Sequence, residues 1–356
     1  MSLKDKLLKN STIKLASTLP DSKIFNNVDI CRTRVPLLNL ALSGRFDGGL
    51  TSGLTVLAGP SKHFKSNLGL VLVSAYMKKH KDSICLFYDS EFGAKDGYFR
   101  SQGVDPDRVI HSPITDIEEL KFDIMKQLKE IERGDRVIIF IDSIGNTASK
   151  KEVDDAENGK SVTDMTRAKQ IKSLFRMITP HLTIKDLPCV AINHTYETQE
   201  MFSKTVMSGG TGIAYSADTT FIIGRQQQKE GTEIVGYNFV LNIEKSRYIR
   251  EKSKLSISVT FEGGINTFSG LLDLAQELGF VVKPKNGWYS RAFLNEDTGE
   301  MIPEEKNWRA KDTDCLEFWK PLFEQKHFGK AATDRYELKT AAVTDELEKE
   351  IEGLLA

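Results

Sequence analysis

Leu54-Thr55-Val56-Leu57-Ala58-Gly59-Pro60-Ser61-Lys62-His63-Phe64-Lys65-Ser66 is the stretch that decides the fold. Leu54–Ala58 reads as a buried strand, Gly59–Pro60 opens a turn, and Ser66–Lys79 carries a helix. A phosphate-cradling loop needs this setting, because its backbone N–H groups form a concave anion site and the helix N-terminus adds its dipole. Lys65 is placed to reach the β- and γ-phosphates of a nucleotide, and the Ser66 hydroxyl to ligate Mg²⁺. The candidate nucleotide site is therefore Gly59, Pro60, Ser61, Lys62, His63, Phe64, Lys65, Ser66 and Asn67. One letter departs from GxxxxGK[ST]: Phe64 stands where a second glycine is expected. A bulky residue there predicts a strained or reshaped loop.

Beyond this loop, strands alternate with helices. Ser83–Tyr88 reads as a strand followed by a helix near Lys95–Gln102, and the amphipathic run Ile117–Arg133 precedes the Val/Ile-rich strand Arg136–Ile141. A helix over Thr163–Thr183 leads into the strand Pro188–Asn193. Ala217–Ile223, Gly236–Glu244 and Leu255–Phe261 read as three closely spaced strands, an antiparallel extension. The alternation predicts an α/β fold, a mostly parallel twisted sheet with helices on both faces. Residues 1–30 form a lysine-rich arm whose leucines (Leu3, Leu7, Leu8, Leu15, Leu19) recur at helical spacing. So short a stripe cannot bury itself, and it docks on its own chain or on a neighbour. After residue 282 the composition turns more charged and contains all three tryptophans, which predicts a core over 31–282 and a small C-terminal domain over 283–356. The acidic stretch Asp345–Glu352 reads as a solvated helix end.

In open α/β sheets ligands sit beyond the carboxyl ends of the strands. Asp142, ending Val137–Ile141, falls there and suits a magnesium carboxylate; the plainer alternative is a strand cap. Glu91, just past Tyr88, is a candidate base for polarising an attacking water, or else a surface acid capping the next helix. His194 ends Pro188–Asn193 at the same edge, where it either contacts a γ-phosphate or is simply hydrogen-bonded. Ser149–Ser161 and Thr195–Gly212 read as long functional loops. The second interleaves Tyr196, Phe202 and Lys204, a pattern suited to single-stranded nucleic acid, and ends in a glycine hinge. Lys245 and Arg247 lie two apart in a basic cluster, as a solvated strand edge or as a pair aimed at one anion.

Bulk properties set limits. The 356-residue chain has 40% apolar and 28% charged residues and a formal charge of −1. Any nucleic-acid surface must therefore be local. No apolar run is long enough to cross a bilayer and no signal-peptide pattern opens the chain. The scattered cysteines Cys31, Cys85, Cys189 and Cys315 form no CxxC pair, and a reducing cytoplasm is expected. The six histidines show no ligand spacing such as HExxH, which argues against protein-bound zinc.

In this order, the segments GPSKHFKS, YDSEFGAKDGYFRSQGVD, VIIFIDS, CVAINHTYETQEMFSKTVMSGGTG, NIEKSR and LGFVVKPKNGWYS resemble RecA-type recombinases. The similarity is greatest to the form these take in T-even-like bacteriophages, where the phenylalanine in the loop is shared. The resemblance implies a RecA-like P-loop ATPase core and further residue roles. Glu91 matches the catalytic glutamate, Tyr98 the aromatic that stacks on adenine, and Asp142 the magnesium carboxylate. His194 takes the place of a glutamine that senses the γ-phosphate. Lys245 and Arg247 match cations that reach ATP on the adjacent subunit. The two loops match the DNA-binding loops, adding Lys150 and Lys151 to the DNA contacts, and the arm becomes an oligomerisation element. The implied activity is DNA-dependent ATP hydrolysis with ATP and Mg²⁺. It drives a filament on single-stranded DNA that pairs with duplex DNA, in a host-cell cytoplasm, with a phage mediator and a single-strand-binding protein as partners. The rivals are a RecA-fold hexameric helicase and a non-enzymatic DNA-binding protein with a decayed loop.

Overall fold

The computed structural model describes residues 1–26, 28–159, 166–198 and 203–338. Strands β1 (Gly53–Gly59), β2 (Ile84–Asp89), β3 (Val109–Pro113), β4 (Val137–Asp142), β5 (Pro188–Glu197), β6 (Thr205–Met207), β7 (Thr219–Glu230), β8 (Glu233–Lys245), β9 (Lys254–Thr260) and β10 (Gly264–Ile265) form one sheet. Its order is β10-β9-β8-β7-β1-β5-β4-β2-β3, with β6 hairpinned onto β5. From β3 to β7 the neighbours are parallel, and β7 to β10 form the antiparallel extension. This is the architecture expected from the alternating pattern. β3 escapes a sequence reading because Val109-Ile-His-Ser-Pro113 is short and ends in proline, a composition suited to its edge position.

The helices are α1 (Leu3–Asn10), α2 (Lys23–Asn26), α3 (Pro36–Ser43), α4 (Lys65–Lys79), α5 (Asp96–Ser101), α6 (Ile117–Glu130), α7 (Lys150–Glu157), α8 (Thr166–Lys185), α9 (Gly212–Ser216), α10 (Leu271–Glu277), α11 (Leu316–Glu324) and α12 (Lys326–Tyr336). Period-two alternation along the central strands builds two cores. Ile138, Phe140, Val190 and Ile192 pack with α3 and α4 on one face. Ile139, Ile141, Cys189 and Ala191 pack with α6 and α8 on the other. Gly69 lets α4 lie against β4, since a Cβ there would stand 2.6 Å from the Phe140 ring.

β11 (Val281–Lys285), β12 (Trp288–Leu294), β13 (Met301–Pro303) and β14 (Trp308–Arg309) make a second, antiparallel sheet. With α11 and α12 it joins the first core, where Phe46 meets Phe323 and Phe328 at 5.4 and 5.1 Å. α1 opens with a Ser2/Asp5 capping box, yet Leu3, Leu7, Ile13 and Leu15 of the arm remain exposed on this chain. The stretch Asp345–Glu352 lies outside the described residues. Among the described residues no helix is long and apolar enough to cross a membrane.

Candidate nucleotide site

Strand register assembles the site. β1 pairs with β5 so that Gly59 faces His194, and β2 pairs with β4 so that Asp89 faces Asp142. The carboxyl ends of four adjacent strands thus deliver the phosphate loop, His194, Asp142 and the Glu91 turn to one edge. Ser61 to Asn67, Glu91, Tyr98 and His194 line the resulting cavity.

Phe64 shows how the loop manages without its second glycine. It takes the left-handed conformation at φ 62° and ψ 17°, as a glycine would. That conformation costs a bulky residue about 1–2 kcal/mol. Its ring stacks on Phe239 of β8 at 4.9 Å and 17°, a contact worth about 0.5–1.5 kcal/mol beyond the area it buries. The loop is strained and braced, not collapsed.

Lys65 is the first residue of α4 and almost wholly buried, with Nζ donating to the Pro60 carbonyl at 2.8 Å. Burial pulls its pKa down while Glu91 and Asp142 oppose that shift. Asp142 is buried at 4% exposure, and its Oδ1 has no hydrogen-bond partner among the described residues. Burial above all, then repulsion from Glu91 and Asp89, raises its pKa to about 6 against relief from Ser66 and Lys65. A buried carboxylate oxygen without a donor, beside the Ser66 hydroxyl, is the pairing a hydrated magnesium ion completes, so these residues fit the metal.

Glu91 Oε1 accepts from Ser143 Oγ at 2.8 Å and Asn146 Nδ2 at 3.1 Å, and pairs with His194 Nε2 at 2.8 Å. The His194 bond leads in holding its pKa below the ordinary carboxylate range, and burial opposes it. The turn carrying Glu91 is clamped by Asp89, whose Oδ1 accepts from the Glu91 and Phe92 amides at 2.9 and 2.7 Å. Asp89 Oδ2 meets His111 Nε2 at 3.1 Å. Gly145 leaves room for His194, since a Cβ there would stand 2.3 Å from its ring. Tyr98 lies with Asn67 in the cavity lining, and burial pushes its hydroxyl's pKa up to about 12.

The candidate DNA segments differ from the loops expected. Ser149-Lys-Lys-Glu152 is a capping box, so Lys150 and Lys151 start α7 instead of lying on an open loop. Lys151 also pairs with Asp155 at 3.0 Å. Tyr196 sits exposed on the β5 extension, which pairs with β6 before the chain reaches the glycines. Lys204 is exposed just before β6, and Phe202 lies outside the described residues. Arg167, at the start of α8, was not singled out from sequence. Its guanidinium donates to the carbonyls of Thr147, Ile144 and Gly145 at 2.7, 2.9 and 2.7 Å, and to Ser208 Oγ at 3.1 Å. It thereby ties the segment after Asp142 to the one after β6.

Lys245 and Arg247 are not brought to this cavity. Within one chain Lys245 Nζ donates to the Ala214 and Tyr215 carbonyls at 3.0 and 2.9 Å, groups left unpaired at the end of α9. Arg247 pairs with Asp218 at 2.6 Å. The strand ends at Lys245, so strand alternation does not aim the two side chains together.

Comparison with known proteins identifies the family. The RecA N-terminal domain model matches residues 5–266. The chain belongs to the RecA family. The model for the C-terminal domain of the bacteriophage T4 recombination and repair protein matches residues 268–332 of this RecA-family chain. The recombination and repair protein of Enterobacteria phage T4 is 60% identical over 353 residues, 99% of this chain and 90% of that protein. Protein RecA of Synechococcus sp. (strain CC9605) is 26% identical, covering 84% of this chain and 79% of its own. For Protein RecA of Bifidobacterium breve the values are 28%, 74% and 66%.

Proposed function

We propose that this RecA-family chain is an ATP-dependent DNA recombinase. It assembles as a helical filament on single-stranded DNA, pairs that strand with a homologous duplex and exchanges strands in recombination, repair and recombination-dependent replication. One observation carries the reading. Glu91, the candidate base, is hydrogen-bonded to His194, and His194 lies on the same strand, β5, that continues outward to Tyr196. Hydrolysis and DNA contact therefore share one element.

Lys65 and the α4 N-terminus receive the phosphates, and Tyr98 offers its ring to the adenine. Ser66 and Asp142 hold Mg²⁺, which supplies neutralising charge for the phosphates. Glu91, with Oε1 engaged by Ser143, Asn146 and His194, keeps Oε2 to polarise the attacking water. His194 shifts between Glu91 and the γ-phosphate, reporting nucleotide state to β5. Tyr196, Phe202, Lys204, Lys150 and Lys151 contact DNA by stacking and by phosphate pairing, while base pairing supplies sequence choice.

Residues 1–30 serve as the arm that docks on the next subunit's core (31–282), since the arm's leucines stay exposed on their own chain. Lys245 and Arg247 then exchange their carbonyl and Asp218 partners for phosphates bound by that neighbour. Residues 283–356 form the small C-terminal domain. Work in a host-cell cytoplasm alongside a phage mediator and a single-strand-binding protein follows from the same reading. The test is strand exchange between a circular single strand and a homologous linear duplex with ATP and Mg²⁺. Joint molecules and nicked circles are expected. ATP-driven unwinding without them would make the chain a helicase instead.

A further inference from the structure

Far from the nucleotide, at the other end of α4, lies a second cluster. Asp29 Oδ2, Cys31 Sγ and His80 Nε2 converge, with Cys31–Asp29 3.8 Å, Cys31–His80 3.9 Å and Asp29–His80 2.5 Å apart. Among the described residues no other group of His, Cys, Asp or Glu brings three donors this close. A zinc ion held by sulfur, imidazole and carboxylate spaces its donors about 3.3–3.6 Å apart, from bond lengths of about 2.0–2.3 Å. The two sulfur edges already approach that spacing, and the Asp29–His80 edge opens to it with a movement of about 1 Å once metal replaces the bridging proton.

Features of the surroundings favour a cation, against the opposing charges of Lys79 and Arg136 beside Asp29. Asp29 and Cys31 are two apart beside the isolated Cys31–Leu50 bridge, and both side chains reach His80. His80 caps the C-terminus of α4, the negative end of a 15-residue helix. Its ring is flanked by Tyr76 at 4.9 Å, and its carbonyl is pinned by Arg108 at 3.2 Å. The Tyr76 hydroxyl is buried and has no hydrogen-bond partner. A water completing the coordination of a bound metal would satisfy it.

Two cations border the cluster, Lys79 on Asp29 and Arg136 at 3.6 Å from Asp29 Oδ2. Burial pushes the Cys31 thiol up to about 12, with Asp29 adding to the rise, while Lys79 and Arg136 offset part of it. With a metal in place these cations become outer partners. Lys79 orients the Asp29 carboxylate from its other oxygen, as ligating carboxylates commonly require.

We propose that Asp29, Cys31 and His80 form a zinc-class site that clamps the root of the N-terminal arm to the far end of α4. Binding deprotonates the Cys31 thiol, and the proton leaves to solvent. Sequence spacing gives no hint of it, because 49 residues separate Cys31 from His80.

The test uses the full chain in excess Mg²⁺, with Zn²⁺ and then Co²⁺ as probes. Equilibrium dialysis is expected to retain one Zn²⁺ per chain. Co²⁺ is expected to give a thiolate charge-transfer band with tetrahedral visible bands. Both signals should be lost in Cys31→Ser and in His80→Gln, and kept in Cys315→Ser. Circular dichroism checks each variant, and His80→Gln, at the rim of the cluster, decides the matter if Cys31→Ser fails to fold. Absence of a thiolate–cobalt band in the parent chain, or its survival in His80→Gln, overturns the proposal.

Discussion

Replacing Asp142 with asparagine separates the burden of the buried carboxylate from its use. In the folded chain its pKa rises from 3.8 to about 6, chiefly through burial. The ionised form is thus disfavoured by about 3 kcal/mol, at ~1.4 kcal/mol per tenfold change in acidity constant. Between these two values the folded chain holds more protons than the unfolded one, so stability falls as pH rises through this window and is level above it. Asparagine has the same shape and no such slope. Its buried amide costs about 1–3 kcal/mol wherever it lacks a partner, at every pH alike. The difference between variant and parent should therefore move in the variant's favour by up to about 3 kcal/mol between roughly pH 4 and pH 7.5. Urea unfolding without nucleotide at several pH values measures it. A fluorescent ATP analogue should show that the variant has lost the Mg²⁺ dependence of binding. A variant–parent difference constant across pH would refute the reasoning.

His194→Ala removes the leading contact that holds Glu91 acidic, leaving burial unopposed by it; the carboxylate then takes up its proton at higher pH. The acid limb of the kcat profile should shift upward in pH. Phe64→Gly relieves left-handed strain of about 1–2 kcal/mol but gives up the Phe239 stack, the area the ring buries and some unfolded-state entropy. Urea unfolding should show it destabilised, and less so in a Phe239→Ala background; an equal loss in both backgrounds would mean that the stack does not brace the loop. Arg167→Ala breaks four hydrogen bonds and should cost about 3 kcal/mol, while reducing the stimulation of ATPase by DNA more than the DNA-free rate. Lys245→Ala and Lys65→Ala should each abolish turnover, and mixing the two should restore part of it, because a filament of both contains interfaces with one intact half from each. Recovery no greater than the sum of the separate proteins would count against a shared site.

The sheet was legible because burial on both faces leaves an unmistakable apolar run. Leu54–Ala58, Val137–Ile141 and Pro188–Asn193 announce themselves, and each points to the polar residue that follows it. Edge elements carry no such mark, and β3, short and closed by Pro113, passes for a connection. The helix α7 was hidden for a different reason. Its charged composition resembles a loop, and only the Ser149/Glu152 capping box signals an N-terminus. Lys65 was legible from the phosphate-loop motif and Glu91, Asp142 and His194 from strand ends, and the register brings them together. Ser143 and Asn146 were not, although each follows Asp142 closely, because a donor to a carboxylate has no pattern of its own. Arg167 is less legible still. It acts through carbonyls of Ile144, Gly145 and Thr147 that any sequence would supply, so nothing but the fold shows what it binds.

On the proposed function, Arg167 stands between the nucleotide site and the segments that would touch DNA. Glu91 and His194 are linked directly, and Gly145 packs against the His194 ring. The Gly145 carbonyl is held by Arg167, which holds Ser208 at the same time. Ser208 in turn is bonded to the backbone of His194 and to the Asn193 side chain. These contacts close a ring around the base of both segments proposed to touch DNA. If His194 leaves Glu91 for a phosphate, as proposed, it moves beside Gly145, whose carbonyl Arg167 holds. On the proposed function such a coupling would be short and would need no long path through the core. It also predicts where the coupling is weakest: at Gly145, where close approach to His194 is allowed only by the absence of a side chain.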